Sequence, residues 1–424
     1  MVFDSLKKLL SGKEAAPTAP ARKAARLLDQ GPFQAPTLAL DARGRATAIW
    51  RAETSIKAIR FFPKGEPEGP VELQAHPGAQ VGDPLLLRSE EALLAVWTVR
   101  EGRSTRILAR LLNASLEGEP HTVVTLPDEI TALQGEVDRR GDAVLAWVRR
   151  GPEGYFVEAL TYARNQEAWD ATPTRLDGPL DQPTPLALAP EPKGSALAVW
   201  NHTGGGYEGL VASHYFGKER IWSDRPVGIA PAVARSLQLS TDDQGNAILL
   251  YLSTEGPRTA LDACVFSAST YAWHGPHRLA SAQEVSLPQV GMDRRGAGLA
   301  VWRQSESSGN ARLFSRAFQG GKWAPTPEAL EGDMASGKAH AFALSPDARG
   351  VVVWAQAAPG ATAGAEGIFL RTFTHGRWDP SAQTFSPPTK YAHHSLCVAV
   401  AGEYTAALWL AGLGRCGLMG LVER

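Results

Sequence analysis

Cysteine is scarce: the 424-residue chain has three, Cys264, Cys397 and Cys416, and none stands in a Cys-x-x-Cys pair. Three thiols cannot all pair with one another and metal-ligand spacing is missing, so neither a disulfide framework nor a zinc site is indicated. A reducing, cytoplasmic setting is the expectation. Net charge is lacking too, with 43 Lys and Arg against 44 Asp and Glu leaving -1 at pH 7. That balance removes the global electrostatic case for nucleic acid, so any charged partner must meet a local patch.

Long apolar runs are missing as well. The best, "YTAALWLAGLGRCGLMGLVER" (404–424), is interrupted by Arg415, and its first half falls in step with the repeat described below. The opening "MVFDSLKKLLSGKEAAP" lacks the apolar core and cleavage site of a secretory signal. In a cytoplasmic protein the glycosylation-type triplets at Asn113 and Asn201 are chance matches. No Gly-x-Ser-x-Gly or His-Glu-x-x-His occurs, and "TGGGYEG" (203–209) lacks the strand-to-helix context of a phosphate loop. Paired carboxylates for glycoside hydrolysis could come from separate repeats, but nothing in the sequence locates them. No metal and no cofactor is expected.

Repetition is what the chain has in abundance. "DRRGAGLAVW" (293–302) has near-copies in "DARGRATAIW" (41–50), "DRRGDAVLAW" (138–147) and "DDQGNAILLY" (242–251). The closing aromatics are Trp50, Trp97, Trp147, Trp200, Tyr251, Trp302, Trp354 and Trp409, a period near fifty across the whole chain. In each unit a short strand leads into Asp-x-x-Gly and then into an apolar strand. The Asp carboxylate suits capping of the turn's own N–H groups, and the Gly accepts the positive φ that follows. A third alternating strand ("ARLFSRAF", 311–318; "GIFLRTF", 367–373) comes next. A fourth segment often opens on Trp, at Trp169, Trp222, Trp273, Trp323 and Trp378.

Four strands per fifty residues without helical periodicity predict an all-β, eight-bladed β-propeller of four-stranded antiparallel blades over residues 22–424. The second strand is apolar on both faces, as a sheet between two neighbours requires. Unit seven, read as "DARGVVVW" (347–354), is two residues short, which preserves the facing of its side chains. Units two and eight lose Asp-x-x-Gly, and looser turns are expected there. The eighth unit stops after its third strand. Residues 22–36, "RKAARLLDQGPFQAP", are like the fourth-strand region of unit three, "TRLDGPLDQPTP" (174–185). A strand around Arg26 to Leu28 is therefore expected to complete the last blade and cover its edge.

The D-x-x-G-x-A-x-A-x-W unit resembles that of bacterial β-propeller repeat proteins, and the resemblance spans residues 22–424. It implies a fold and no activity. Asp-box, kelch and WD40 patterns fit poorly. Here the Gly follows the Asp at three positions, paired kelch glycines are missing, and the Trp-Asp pairs at 169 and 378 open fourth strands.

All twelve tryptophans fall on the repeat, seven closing second strands and five opening fourth strands, so packing is the expected role over sugar platforms. His340, His393 and His394 fall at or near the first strands of units seven and eight, as polar channel lining. The turns carry Arg43, Arg45, Arg139, Arg140, Lys193, Arg294, Arg295 and Arg349 among Asp41, Asp138, Glu191, Asp242, Asp243, Asp293 and Asp347, which nearly cancel. Solvated turn charges are the default reading.

Residues 1–21 form a separate segment. As a helix, Val2, Phe3, Leu6, Leu9 and Leu10 share one stripe, and an Ala/Pro-rich tether follows. So short a helix would form only on docking to a protein groove or an anionic membrane, and the chain should leave the propeller on the Asp-turn face. On the opposite face the variable loops offer Arg149, Arg150, His202, Tyr207, Arg303 and Gln304 as candidate binding residues. The leading expectation is a non-enzymatic scaffold for protein–protein interaction. A carbohydrate-binding or carbohydrate-processing propeller is the alternative, and a peripheral membrane adaptor the third.

Overall fold

A computed structural model describes residues 25–89, 92–112, 116, 118–306, 311–331, 339–357, 366–389, 393–412 and 416–424. Their strands form eight antiparallel sheets, the blades of a β-propeller. Helix among them is limited to two 3-10 turns, Arg164–Gln166 and Pro192–Gly194. No helix of the described residues is long and apolar enough to cross a membrane. Val2, Phe3, Leu6, Leu9 and Leu10 lie outside the described residues.

The eight innermost strands stand side by side, and that of blade 8 (His393–Ala401) meets that of blade 1 (Phe33–Leu40), so the ring closes on itself. Closure is also hydrogen-bonded. Arg26–Gly31 pairs antiparallel with Cys416–Glu423, Arg26 opposite Gly420 and Gly31 opposite Cys416, as the fourth strand of blade 8. The last blade is thus stitched to the front of the chain, and its edge is paired.

Alternation along the second strands explains the repeat. Each closing aromatic packs on the preceding blade and the residue before it on the following one. Trp200 joins Val157 and Leu188 at the blade 3–4 junction, while Val199 joins Leu210 and Leu249 at the blade 4–5 junction. The seven tryptophans and Tyr251 are essentially inaccessible. A fully buried indole removes about 200 Å2 from water, on the order of 5 kcal/mol of transfer free energy, at seven of the eight junctions, with Tyr251 at the eighth.

The five tryptophans that open fourth strands each lie across from an aromatic of the third strand. The pairs are Tyr162–Trp169, Tyr215–Trp222, Phe266–Trp273, Phe318–Trp323 and Phe373–Trp378, with ring centroids 5.2 to 5.4 Å apart. Their spacing is that of tilted and edge-on aromatic pairs, so packing accounts for all five.

Turn chemistry follows the expected form in units one, three, five and six. Asp41 Oδ1 accepts from the N–H groups of Arg43 and Arg45 at 2.9 and 2.8 Å, and Asp138, Asp242 and Asp293 repeat the arrangement. Gly44, Gly141, Gly245 and Gly296 take φ between +78° and +88°, where only glycine is unstrained.

Two turn expectations are corrected. Unit seven has no deletion: its turn is Ser345 to Ala348, with Ser345 Oγ accepting from Arg349 N–H at 3.0 Å and Ala348 at φ +65°. Asp347 and Gly350 only mimic the motif, Gly350 being the first residue of the second strand, opposite Leu344. The turn of unit eight is tighter, not looser, while residues 90 and 91 of the unit two turn lie outside the described residues. Ala401 pairs directly with Tyr404 around Gly402, and Ser89 hydrogen-bonds Ala92 in both directions. A two-residue hairpin such as that of unit eight matches strand twist and needs no Asp cap.

Candidate functional site

The Asp turns gather at one end of the channel. Arg139 Nη2 of blade 3 reaches both carboxylate oxygens of Asp243 of blade 5 at 2.8 Å, spanning blade 4. Arg294 of blade 6 stands 3.9 Å from Asp243 and from Asp347, so four blades form an arc of exposed ion pairs. Such pairs contribute at most about 1 kcal/mol each and fix turn positions more than stability. Deeper in, on the innermost strand of blade 3 (Ile130–Val137), the Glu136 carboxyl is pushed up to about 8 by burial.

On this face, blades 3 and 4 leave a cleft of about 780 Å3 between them. Four turns build it. The Asp138 turn supplies Arg140, the 3-10 turn after the third strand of blade 3 supplies Arg164, the blade 4 hairpin supplies Lys193, and the third-to-fourth turn of blade 4 supplies Lys218 and Arg220. Asp142 is the one carboxylate in the lining, and its Oδ1 is committed to the N–H of Arg164 at 2.9 Å. Arg220 pairs with Asp170 at 2.7 Å and Arg164 Nη1 donates to the Arg140 carbonyl at 3.2 Å. All five cations are exposed. On a chain of net charge -1 this is a concentrated positive surface.

The same face carries the entry of the chain. Arg26, first residue of the closing strand, hydrogen-bonds the carbonyl of Gly65 in the third-to-fourth turn of blade 1. The closing strand thus begins beside the Asp turns.

The opposite face holds the six loop candidates, in three places. Arg149 is only 12% exposed at its side chain, clamped by Glu158 at 2.7 and 3.0 Å and by Asp128 at 3.0 Å, over the Phe156 ring. Glu158 also accepts from Trp147 Nε1 at 3.1 Å, so Arg149 serves the packing of the blade. Arg150 is exposed beside it. His202 and Tyr207 come together, ring centroids 5.9 Å apart, with His202 Nδ1 2.8 Å from Asp177. Asp177 in turn accepts from Trp200 Nε1 at 2.7 Å. Gln304 accepts from Trp302 Nε1 at 3.1 Å, and Arg303 turns toward blade 7. Three of the six thus belong to networks that satisfy buried indoles.

Arg164, Lys218 and Arg220 were not among the residues the repeat singles out. They lie in third-to-fourth turns that vary in sequence, and only the adjacency of two blades joins them to Arg140 and Lys193.

No protein-family model matches the chain. No curated protein matches it in sequence. Among solved structures, a prolyl endopeptidase is similar over 90% of this chain and 54% of its own, at 12% identity and a TM-score of 0.50. NanB sialidase from Streptococcus pneumoniae is similar over 96% of this chain and 71% of its own, at 11% identity and a TM-score of 0.42. An α-L-arabinanase from Penicillium chrysogenum is similar over 69% and 93%, at 13% identity and a TM-score of 0.41. Only the first is close enough to bear on the fold, and none bears on activity.

Proposed function

We propose that the protein is a non-enzymatic propeller scaffold that holds a protein partner by an acidic segment seated between blades 3 and 4. The observation that carries this reading is the cleft's charge, five cationic side chains around one committed carboxylate. Among the described residues the side chains of Arg140 and Lys193 have no hydrogen-bond or ion-pair partner, so their charge is available to a ligand. A partner carboxylate placed there meets several cations at once, which steers encounter and sets register. Departure of the chain on the same face lets the segment with Val2, Phe3, Leu6, Leu9 and Leu10 add a second, apolar hold on that partner. Three free thiols support a reducing, cytoplasmic setting. The carbohydrate reading is weaker, because the five rim indoles are turned against aromatic neighbours instead of outward.

The test uses a fluorescent Glu/Asp-rich peptide titrated into the full chain at rising salt, with single-stranded DNA as competitor. Saturable peptide binding is expected to weaken as salt increases. The Arg140→Glu/Lys193→Glu double variant should lose it by about 1–3 kcal/mol, tenfold or more. Tighter binding of DNA than of peptide, or unchanged affinity in the double variant, would sink this reading.

A further inference from the structure

The blade 6–7 junction ends, away from the Asp turns, in polar side chains. Arg303 follows Trp302 on the second strand of blade 6 and lies on the side of Leu299 and Val301, which pack on blade 7. His340 opens the innermost strand of blade 7, on the side of Phe342 and Leu344, which pack back on blade 6. Glu331 follows Leu330 of the same cluster, and Arg312 Nη2 donates to the Glu331 backbone carbonyl at 3.2 Å. Glu331 and His340 are 7% and 8% exposed.

Among the described residues, Arg303 Nε, Arg312 Nε, Glu331 Oε2 and His340 Nε2 are all buried without a hydrogen-bond partner. Buried polar atoms are nearly always paired, so four unpaired ones in one place call for a ligand. Arg303 interacts electrostatically with both Glu331 and His340, and Arg312 with Glu331, which makes the four one cluster.

We infer that Arg303, Arg312, Glu331 and His340 form a binding site for a small oxyanion, a carboxylate or a phosphate group. Guanidinium N–H groups match an oxyanion in both charge and geometry. The unpaired His340 Nε2 is open to a hydrogen bond with a hydroxyl beside the anionic group, while the Leu287 backbone acts to raise the ring's pKa against burial. Leu287 itself is 48% exposed and sits in a left-handed bulge (φ +51°), at the open side of the cluster.

Charge favours the anion. Burial pushes the Glu331 carboxyl up to about 7, while the Leu313 backbone, Arg303 and Arg312 pull the other way. Burial and Arg303 hold His340 down to about 4, so its ring is neutral near pH 7. When Glu331 takes its proton, two cations face no carboxylate, and the site's affinity for an anion rises as pH falls through 7.

The test is calorimetry and thermal melting of the full chain with glycolate, acetate and inorganic phosphate at pH 6 and pH 8. One oxyanion class is expected to bind saturably and raise the melting temperature, about tenfold more tightly at pH 6 than at pH 8. Glycolate above acetate assigns a hydroxylated carboxylate, and phosphate above both assigns a phosphorylated ligand. Arg303→Met should weaken binding about tenfold or more. Glu331→Gln should remove the pH dependence. The proposal fails if no probe binds the wild type saturably, if Arg303→Met binds as tightly, or if Lys193→Glu abolishes binding, which would move the ion to the blade 3–4 cleft.

Discussion

Asn201 and Arg303 occupy the same position in the repeat, one residue past the buried tryptophan, and both point at the following blade. Their surroundings differ. Asn201 is 3% exposed and saturated: Nδ2 donates to the Ala234 carbonyl at 2.8 Å, Oδ1 accepts from Ala234 N–H at 2.9 Å, and its own N–H donates to Thr184 Oγ1 at 2.8 Å. Arg303 keeps its Nε buried and unpaired beside Glu331 and His340. One position thus serves as a rivet between blades 4 and 5 and as a place for a ligand between blades 6 and 7. Asn201 is buried whole and Arg303 only in part, but it is saturation of hydrogen bonds at the buried atoms that separates the two roles. The same contrast disposes of the Asn201 glycosylation triplet, whose amide is consumed inside the protein.

The largest effect is expected where the saturated junction is cut. Asn201→Ala leaves the Ala234 N–H and carbonyl without partners in a dry junction, which costs about 4 kcal/mol with the cavity included. Chemical denaturation should show the loss as a lower midpoint at unchanged slope. A loss under about 1 kcal/mol would mean that water replaces the amide, and the distinction between the junctions would vanish.

Much of this comparison was hidden from the sequence, for identifiable reasons. The blade count was legible because a large buried aromatic, Trp in seven cases and Tyr251 in one, recurs once per junction, and the closing strand because the eighth unit lacked a fourth segment. Unit seven misled because Ser345 and Ala348 perform the Asp and Gly roles while Asp347 and Gly350 stand nearby as decoys. Arg149 read as a loop cation, yet the register that sets Trp147 opposite Glu158 also delivers a buried carboxylate to it. Arg303 was named as a loop residue, but Arg312, Glu331 and His340 lie 9 to 37 positions away in sequence, the first two on neighbouring segments of blade 6 and His340 across the junction on blade 7. Side-chain contacts between strands and between blades leave no periodic trace, and the candidate sites consist of such contacts.

A smaller effect separates the two acid–base partners of the unsaturated junction. Glu331 is raised from 4.5 to about 7, so the folded state holds its proton more tightly and the stability this brings is full below pH 4.5 and gone above 7. His340 is lowered from 6.5 to about 4, so its contribution is full above 6.5 and lost as pH falls toward 4. Between pH 4.5 and 6.5 the two slopes oppose each other. Relative to wild type, Glu331→Gln should tilt stability upward with pH across this window and His340→Gln downward, each by about 2–3 kcal/mol. Parallel melting curves against pH for all three proteins would show that neither group is as buried as its surroundings indicate. Mutation of Asn201 should leave these slopes untouched, since no titrating group shares its hydrogen bonds.

The smallest effect is the most discriminating. Arg303→Met exchanges a partly buried arginine, inaccessible at Nε, for an apolar chain of similar length at a junction already lined by Leu299, Val301 and Leu313. Removing a partly buried arginine whose Nε makes no hydrogen bond relieves desolvation and orphans no partner atom, so stability should stay within about 1 kcal/mol of wild type or rise. If Arg303 were a structural rivet like Asn201, the same exchange would cost several-fold more, because partner groups would be orphaned. Near-neutral stability combined with lost oxyanion binding is the signature of a residue kept for a ligand. Destabilisation comparable to that of Asn201→Ala would return Arg303 to the packing of the blades.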